Sequence, residues 1–296
     1  MAGRAAMAKL KQGEAGTRGT RRIARRQVKS ALQKLARKTT SDRAVHSARK
    51  ELKKARATLR LLRDALGRST YKKENTALRD AARPLSEVRD GRVLLDALNS
   101  LVEYYGAPAA ALPLANFKRA LSRRRTQLRH KILEERGPLR TARKALRDIR
   151  SRSEKWHVGR HGWSVLGAGL KRTYVTGRSA FAQAMATPTD EHLHEWRKQT
   201  KYFANQLEML LPLDRKHLDE SHRHATQLAD CLGDDHDLAI VTAQISKHAE
   251  GEHPEAHHAG ARRLIRTVKG RRKKLQRRAM QLGHRLYAGH AARYRP

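Results

Sequence analysis

Apolar residues recur along the chain at intervals of three and four, and nowhere alternate in the one-in-two manner of a strand. In the stretch 45–66, Val45, Ala48, Leu52, Leu59, Leu62 and Leu66 share a face; in 193–210, Leu193, Trp196, Phe203, Leu207 and Leu210 do the same. Read this way, the chain predicts helices over 21–38, 41–66, 71–87, 89–105, 114–135, 138–156, 164–186, 190–211, 214–232, 236–250 and 256–288. The breaks fall at Gly67, Gly106 with Pro108, Gly137-Pro138, Pro188, Pro212, Gly233 and Pro254. Ser41 and Thr189 stand where N-caps belong, and Asp190 and Glu191 suit the positive end of a helix. Residues 1–20 are small, polar and Gly-rich and are expected to form a disordered basic tail. The expected fold class is all-α.

The helical pattern is duplicated. VHSARKELKKARATLRLL (45–62) aligns with LHEWRKQTKYFANQLEML (193–210), so that His46, Arg49, Lys50 and Lys53 fall on His194, Arg197, Lys198 and Lys201, an offset of 148. Farther on, LSEVRDGRVLLDAL (85–98) aligns with LGDDHDLAIVTAQI (232–245) at an offset of 147, and Asp90 falls on Asp237. Two motifs in the same order at nearly one spacing make the chain a tandem repeat, with halves at about 21–136 and 138–290, each a helical bundle.

Within each copy the four motif residues are spaced i, i+3, i+4 and i+7, one stripe along a helix, away from the apolar face. Arg60 extends the first stripe and Arg56 flanks it. Cations stacked over two turns repel one another, and few acids stand nearby in sequence. A bound polyanion removes that repulsion: Arg offers forked donors to phosphate oxygens, Lys a compact charge, and His a donor that strengthens on protonation. A solvated charged face is the ordinary alternative, but the repeated spacing favours a ligand.

Composition points the same way. The 296 residues carry a formal net charge of +38, and aromatics are only 4%. The charge implies a polyanionic partner; the scarcity of aromatics leaves few platforms for stacking bases. Basic runs at Arg21, Arg22, Arg25 and Arg26 and at Arg271, Arg272, Lys273 and Lys274 read as solvated, nonspecific patches. The single cysteine, Cys231, excludes an internal disulfide and reads as a small apolar residue on a packing face. The N-terminus lacks the apolar core of a signal peptide, and no stretch reaches the length of a membrane span. A cytoplasmic protein without membrane attachment is expected.

At this point the residues resemble a known family. HxxRKxxK in two copies, with GLKRTYVTGRSAFAQAM (169–185) before the second and LGDDHDLAIV (232–241) after it, looks like the CHAD family, the conserved-histidine α-helical domain, over essentially 21–290. The resemblance implies two four-helix-type bundles related by a pseudo-twofold axis, with basic helices facing a central cleft or pore. It also implies binding of inorganic polyphosphate and association with polyphosphate granules. The family's binding positions carry over onto His46, Arg49, Lys50, Lys53 and Arg56, and onto His194, Arg197, Lys198 and Lys201; Arg172 and Arg178 lie in the basic helix before the second motif. The pattern departs after Lys201, where Ala204 and Asn205 stand in place of a basic residue and an aromatic. Many relatives are fused to a CYTH triphosphatase domain; no ExExK acid cluster occurs in this sequence.

Two other readings compete. A nucleic-acid-compacting protein is allowed by charge alone, and weak nonspecific nucleic-acid affinity is expected in any case; competition between polyphosphate and DNA separates the two. A metal-dependent phosphohydrolase is suggested by Asp234, Asp235, His236 and Asp237, but the other repeat has Glu87, Val88, Arg89 and Asp90 there. For Asp90 and Asp237 the expectation is a structural salt bridge that positions an Arg or Lys. No catalytic residue, metal ligand or cofactor is expected.

Overall fold

The structure, a computed structural model, describes residues 9–11, 14, 16–36, 40–105, 114–134, 137–156, 158, 163–251, 254–289 and 291–294. Its elements are α1 (Gly16–Leu35), α2 (Asp42–Leu61), the single turn α3 (Arg63–Leu66), α4 (Arg68–Tyr105), α5 (Leu114–Arg129) running into a π-helical turn (His130–Glu134), and α6 (Pro138–Arg152) with a 3-10 turn (Ser153–Lys155). The second half contains α7 (Trp163–Ala186), α8 (Asp190–Leu210), α9 (Arg215–Gly251), α10 (Pro254–Tyr287) and a last 3-10 turn (Ala291–Tyr294). Among the described residues there is no strand, so the fold is all-α as the periodicity predicts.

Two pairs of expected helices are single ones. α4 joins 71–87 to 89–105, and α9 joins 214–232 to 236–250. In α4 Leu78, Ala81, Leu85 and Val88 face the main core, whereas Leu94 and Leu98, on nearly the opposite side of the helix, face a second one, so one continuous helix serves both. In α9 the suspected breaker Gly233 is mid-helix. A glycine there costs about 1 kcal/mol relative to alanine, which a long packed helix absorbs.

The N-terminal region is more ordered than its composition suggests. α1 starts at Gly16. Leu10 is buried in the core, its N–H reaching Met209 O at 3.5 Å. Glu14 receives Arg22. The expected tail is thus docked over its described part.

The halves meet where α2 and α8 cross. Gln206 Nε2 donates to Ala57 O at 3.0 Å. α7 lies against the end of α2 at Gly169, where a Cβ would come within 2.7 Å of Leu61 O, so only glycine permits the approach. Two contacts flank the crossing: Lys54 pairs with Glu208 at 3.3 Å, and the Arg60 guanidinium lies 4.1 Å from the centroid of the Tyr202 ring. Tyr202 is the repeat equivalent of Lys54, and Glu208 that of Arg60. Contacts that exchange partners in this way are what a twofold axis generates. A second, smaller core repeats the relationship: Leu94 and Leu98 of α4 join Val241 and Ile245 of α9, their equivalents 147 residues on, together with Leu121, Leu238, Leu264 and Val268.

Candidate functional site

Each motif helix is fixed first at its N-terminus. Ser41 Oγ accepts from Ala44 N–H at 3.2 Å, and Thr189 Oγ1 accepts from His192 N–H at 3.2 Å. The first residue of each helix is an aspartate, favoured by the positive helix end, and each is gripped by arginine from a distant helix. Asp42 receives Arg125 and, at 3.2 Å, Arg129; Asp190 receives Arg272. Burial raises the Asp42 carboxyl, but the hydrogen bonds from Arg125 and Arg129 outweigh it and hold the pKa below the usual carboxylate range. Arg125 and Arg272 are themselves 147 apart, so the clamp belongs to the duplication. The sequence reading missed it, although the repeat offset applied to Arg125 points straight at Arg272.

The caps orient the cationic stripes. In α2, His46, Lys50 and Lys53 are exposed while Arg49 is 9% exposed; in α8, His194 is exposed at its rim, Lys198 and Lys201 are half-buried, and Arg197 is 8% exposed. The two equivalent arginines are therefore both drawn inward beneath lysines that reach solvent. Lys198 is paired with Glu195. The two stripes come within electrostatic reach of each other: crowding by neighbouring atoms, then the charges of Arg197, Lys198 and Lys53, hold the His194 pKa below its ordinary 6.5. Lys53 belongs to the other repeat. The His194 ring packs on His236 of α9, centroids 4.6 Å apart. α9 passes close beneath the cations at Gly233, where a Cβ would stand 3.8 Å from Arg197 Nε and 3.9 Å from Lys201 Nζ.

In the acid–histidine segment of α9 a buried ion pair is held by Asp235. Asp235, 2% exposed, accepts from Arg272 Nε at 3.0 Å, Arg272 Nη2 at 3.2 Å and Gln276 Nε2 at 3.0 Å. Asp237, expected to hold a cation, instead has a buried Oδ1 with no hydrogen-bond partner. Residues two apart on a helix point to nearly opposite sides, so Asp235 faces α10 and Asp237 turns away, beside Asp234. Burial and the charge of Asp237 raise the Asp234 pKa. The side chain of Asp90, the other expected salt-bridge residue, lies outside the described residues. Arg272 is correspondingly not part of a solvated patch: its side chain is 14% exposed and joins Asp190 to Asp235. Among the described residues no group of three or more His, Cys, Asp or Glu is arranged to hold a metal ion.

With this geometry established, the family comparison decides the classification: a model of the CHAD domain matches residues 22–246. The chain belongs to the CHAD family. Among solved structures, PptA from Streptomyces chartreusis superposes on this CHAD chain with a TM-score of 0.68 at 13% identity, covering 93% of this chain and 100% of that one. The crystal structure of the CHAD domain from the plant Ricinus communis gives a TM-score of 0.62 at 14% identity, covering 96% of each chain. At these identities the likeness establishes the fold. A search of curated protein sequences finds no match.

Of the other expected binding residues of this CHAD chain, Arg56 and Arg60 lie where α2 crosses α8, their guanidinium groups 5.8 and 4.1 Å from the centroid of the Tyr202 ring, while Arg172 and Arg178 lie on α7. Arg56 donates from Nε to Asn75 Oδ1 at 3.1 Å, and burial lowers its pKa. Arg60 stacks on Tyr202. Arg172 is tied to Asp64, linking α7 to α3. Arg178 is exposed and lines a different, largely apolar hollow beside Phe181, Met185 and Tyr287. Between the two stripes, the charge of Lys53 on α2 is felt by His194 on α8. Among the described residues, no helix is long and apolar enough to cross a membrane.

Proposed function

We propose that this CHAD protein binds inorganic polyphosphate between the stripes of α2 and α8 and performs no chemistry on it. The observation that carries the reading is the packing of the two motif helices on each other, with Gln206 of α8 donating to Ala57 O of α2 at 3.0 Å and Lys53 near enough to His194 to bear on its titration. Two cationic ridges that feel one another repel, and a linear chain of phosphates lying between them turns that repulsion into attraction at every contact. The exposed lysines supply mobile charge, while buried Arg49 and Arg197 offer forks held in place by packing. The polymer has no bases to read, which agrees with stripes composed of Arg, Lys and His alone. Association with polyphosphate granules follows from such binding.

The test is equilibrium binding of length-defined polyphosphate and of duplex DNA at several salt concentrations, with the variant K50E/K53E/K198E. These three side chains are exposed or half-buried, so helicity by circular dichroism is expected to be retained. The variant is expected to bind polyphosphate at least about a hundredfold more weakly, as loss of several charge-assisted contacts requires. Undiminished binding, preference for DNA, or shortening of the polymer on incubation overturns the proposal.

A further inference from the structure

We propose that the outward face of α1 is a second site for a phosphate polymer, separate from the stripes of α2 and α8; it rests on the polyphosphate reading above and extends it to another part of the chain. The structure has a groove of about 610 Å³ there, lined by Arg18, Arg22, Arg25, Arg26 and Lys29 of α1 and by Arg150 of α6, with no acidic or aromatic side chain in its walls. α1 buries Thr20, Ala24, Gln27 and Ala31, and Gln27 accepts a hydrogen bond from Thr58 of α2 at 3.0 Å. The groove cations occupy the opposite arc of the same helix, and none of the groove's lining residues comes from α2 or α8.

The cations of this groove divide into two sets. Arg22 grips Glu14 through Nε at 2.7 Å and Nη2 at 2.6 Å, Arg25 reaches Glu154 at 2.6 Å, and Arg21 donates to the Trp156 carbonyl at 2.9 Å. These bonds fix the walls to the N-terminal segment and to the turn after α6. Arg18, Arg26, Lys29 and Arg150 are exposed and have no side-chain partner among the described residues. Along α1 the cations recur at three- and four-residue spacing, which is unfavourable without counter-charge. Their convergence with Arg150 from a second helix makes a concave site rather than a convex solvated face. The wall has no ring on which a base could stack, so a base-free phosphate chain is the ligand chemistry it fits. Two such sites on one chain let a single polymer engage both, or let one protein bridge two polymers.

The experiment titrates the full chain calorimetrically with a short, length-defined polyphosphate and with duplex DNA. The expected stoichiometry is two polyphosphates per chain. The groove variant R18Q/R26Q/K29Q/R150Q, which breaks no internal ion pair, is expected to bind one, as is the stripe variant K50Q/K53Q/K198Q, and the combination none. If the groove variant still binds two, or loses only DNA binding, the second site is overturned while the reading of the stripes stands. If the stripe variant binds as the parent does and the groove variant binds none, the reading of the stripes fails and the groove is the site. Circular dichroism of each variant separates lost sites from lost fold.

Discussion

The guanidinium of Arg60 lies over the ring of Tyr202, 4.1 Å from its centroid, at the position where the pseudo-twofold axis carries the Lys54–Glu208 ion pair. One repeat contact is thus a cation on a ring and its mate a cation on a carboxylate. Tyr202 is only 6% exposed, so the contact is shielded and a coupling of about 1–2 kcal/mol is expected. A double-mutant cycle with Arg60→Met and Tyr202→Leu, read by urea unfolding, measures it. A coupling indistinguishable from zero would remove this contact from the forces holding the repeats together.

Asp235 gives a larger expected effect. It is 2% exposed and accepts two hydrogen bonds from Arg272. Removing the arginine leaves a buried carboxylate without its cation, so Arg272→Met alone is expected to destabilise by about 3–5 kcal/mol. Replacing both residues, as Asp235→Leu with Arg272→Met, should recover most of that loss, because no buried charge is left uncompensated and the Asp190 carboxylate, 57% exposed, is solvated. Thermal unfolding of the two variants distinguishes these outcomes.

Polyphosphate affinity is expected to rise as pH falls. Partial burial and the cations Arg197, Lys198 and Lys53 hold His194 below its ordinary 6.5 in the free protein. A bound polyanion offsets those cations and raises the pKa, so binding takes up a proton. Affinity therefore increases as pH drops through the bound-state pKa and levels off below the free-state one. His194→Gln should flatten the profile between about pH 7.5 and pH 5. For the unliganded fold the sign is opposite: a depressed histidine pKa withdraws stability as pH falls through 6.5.

Cys231 should be inert in the folded protein. Its thiol donates to Leu275 O at 3.2 Å, and burial pushes its pKa up to about 11. Alkylation by iodoacetamide at mildly alkaline pH is expected only after addition of denaturant. Rapid labelling of the native protein would contradict the packing of α9 on α10.

What could be read in advance follows from the range of each interaction. The stripes and their caps are local patterns, each complete within a few helical turns, and the duplication shows because those local patterns recur, so all three stand out in the chain itself. The arginine clamps join residues 83 and 82 positions apart, and sequence shows only that arginines are plentiful there. The shift from Asp237 to Asp235 has the same origin: the sequence pattern breaks at Gly233 and leaves Asp235 between two expected helices, and only the fold shows one helix there with α10 on the Asp235 side. Gly233 reads as punctuation because nothing local reveals that Arg197 and Lys201 pass beside it. The groove on α1 reads in sequence as a solvated patch because Arg150, which closes it, lies on another helix.

Joining both copies in one polypeptide frees each from having to match the other. In an assembly of two identical subunits, a tyrosine introduced at one side of the axis appears at the other as well. Here position 54 is lysine and its counterpart 202 is tyrosine, so the halves of a single ancestral contact have diverged into different chemistry while the axis between them persists.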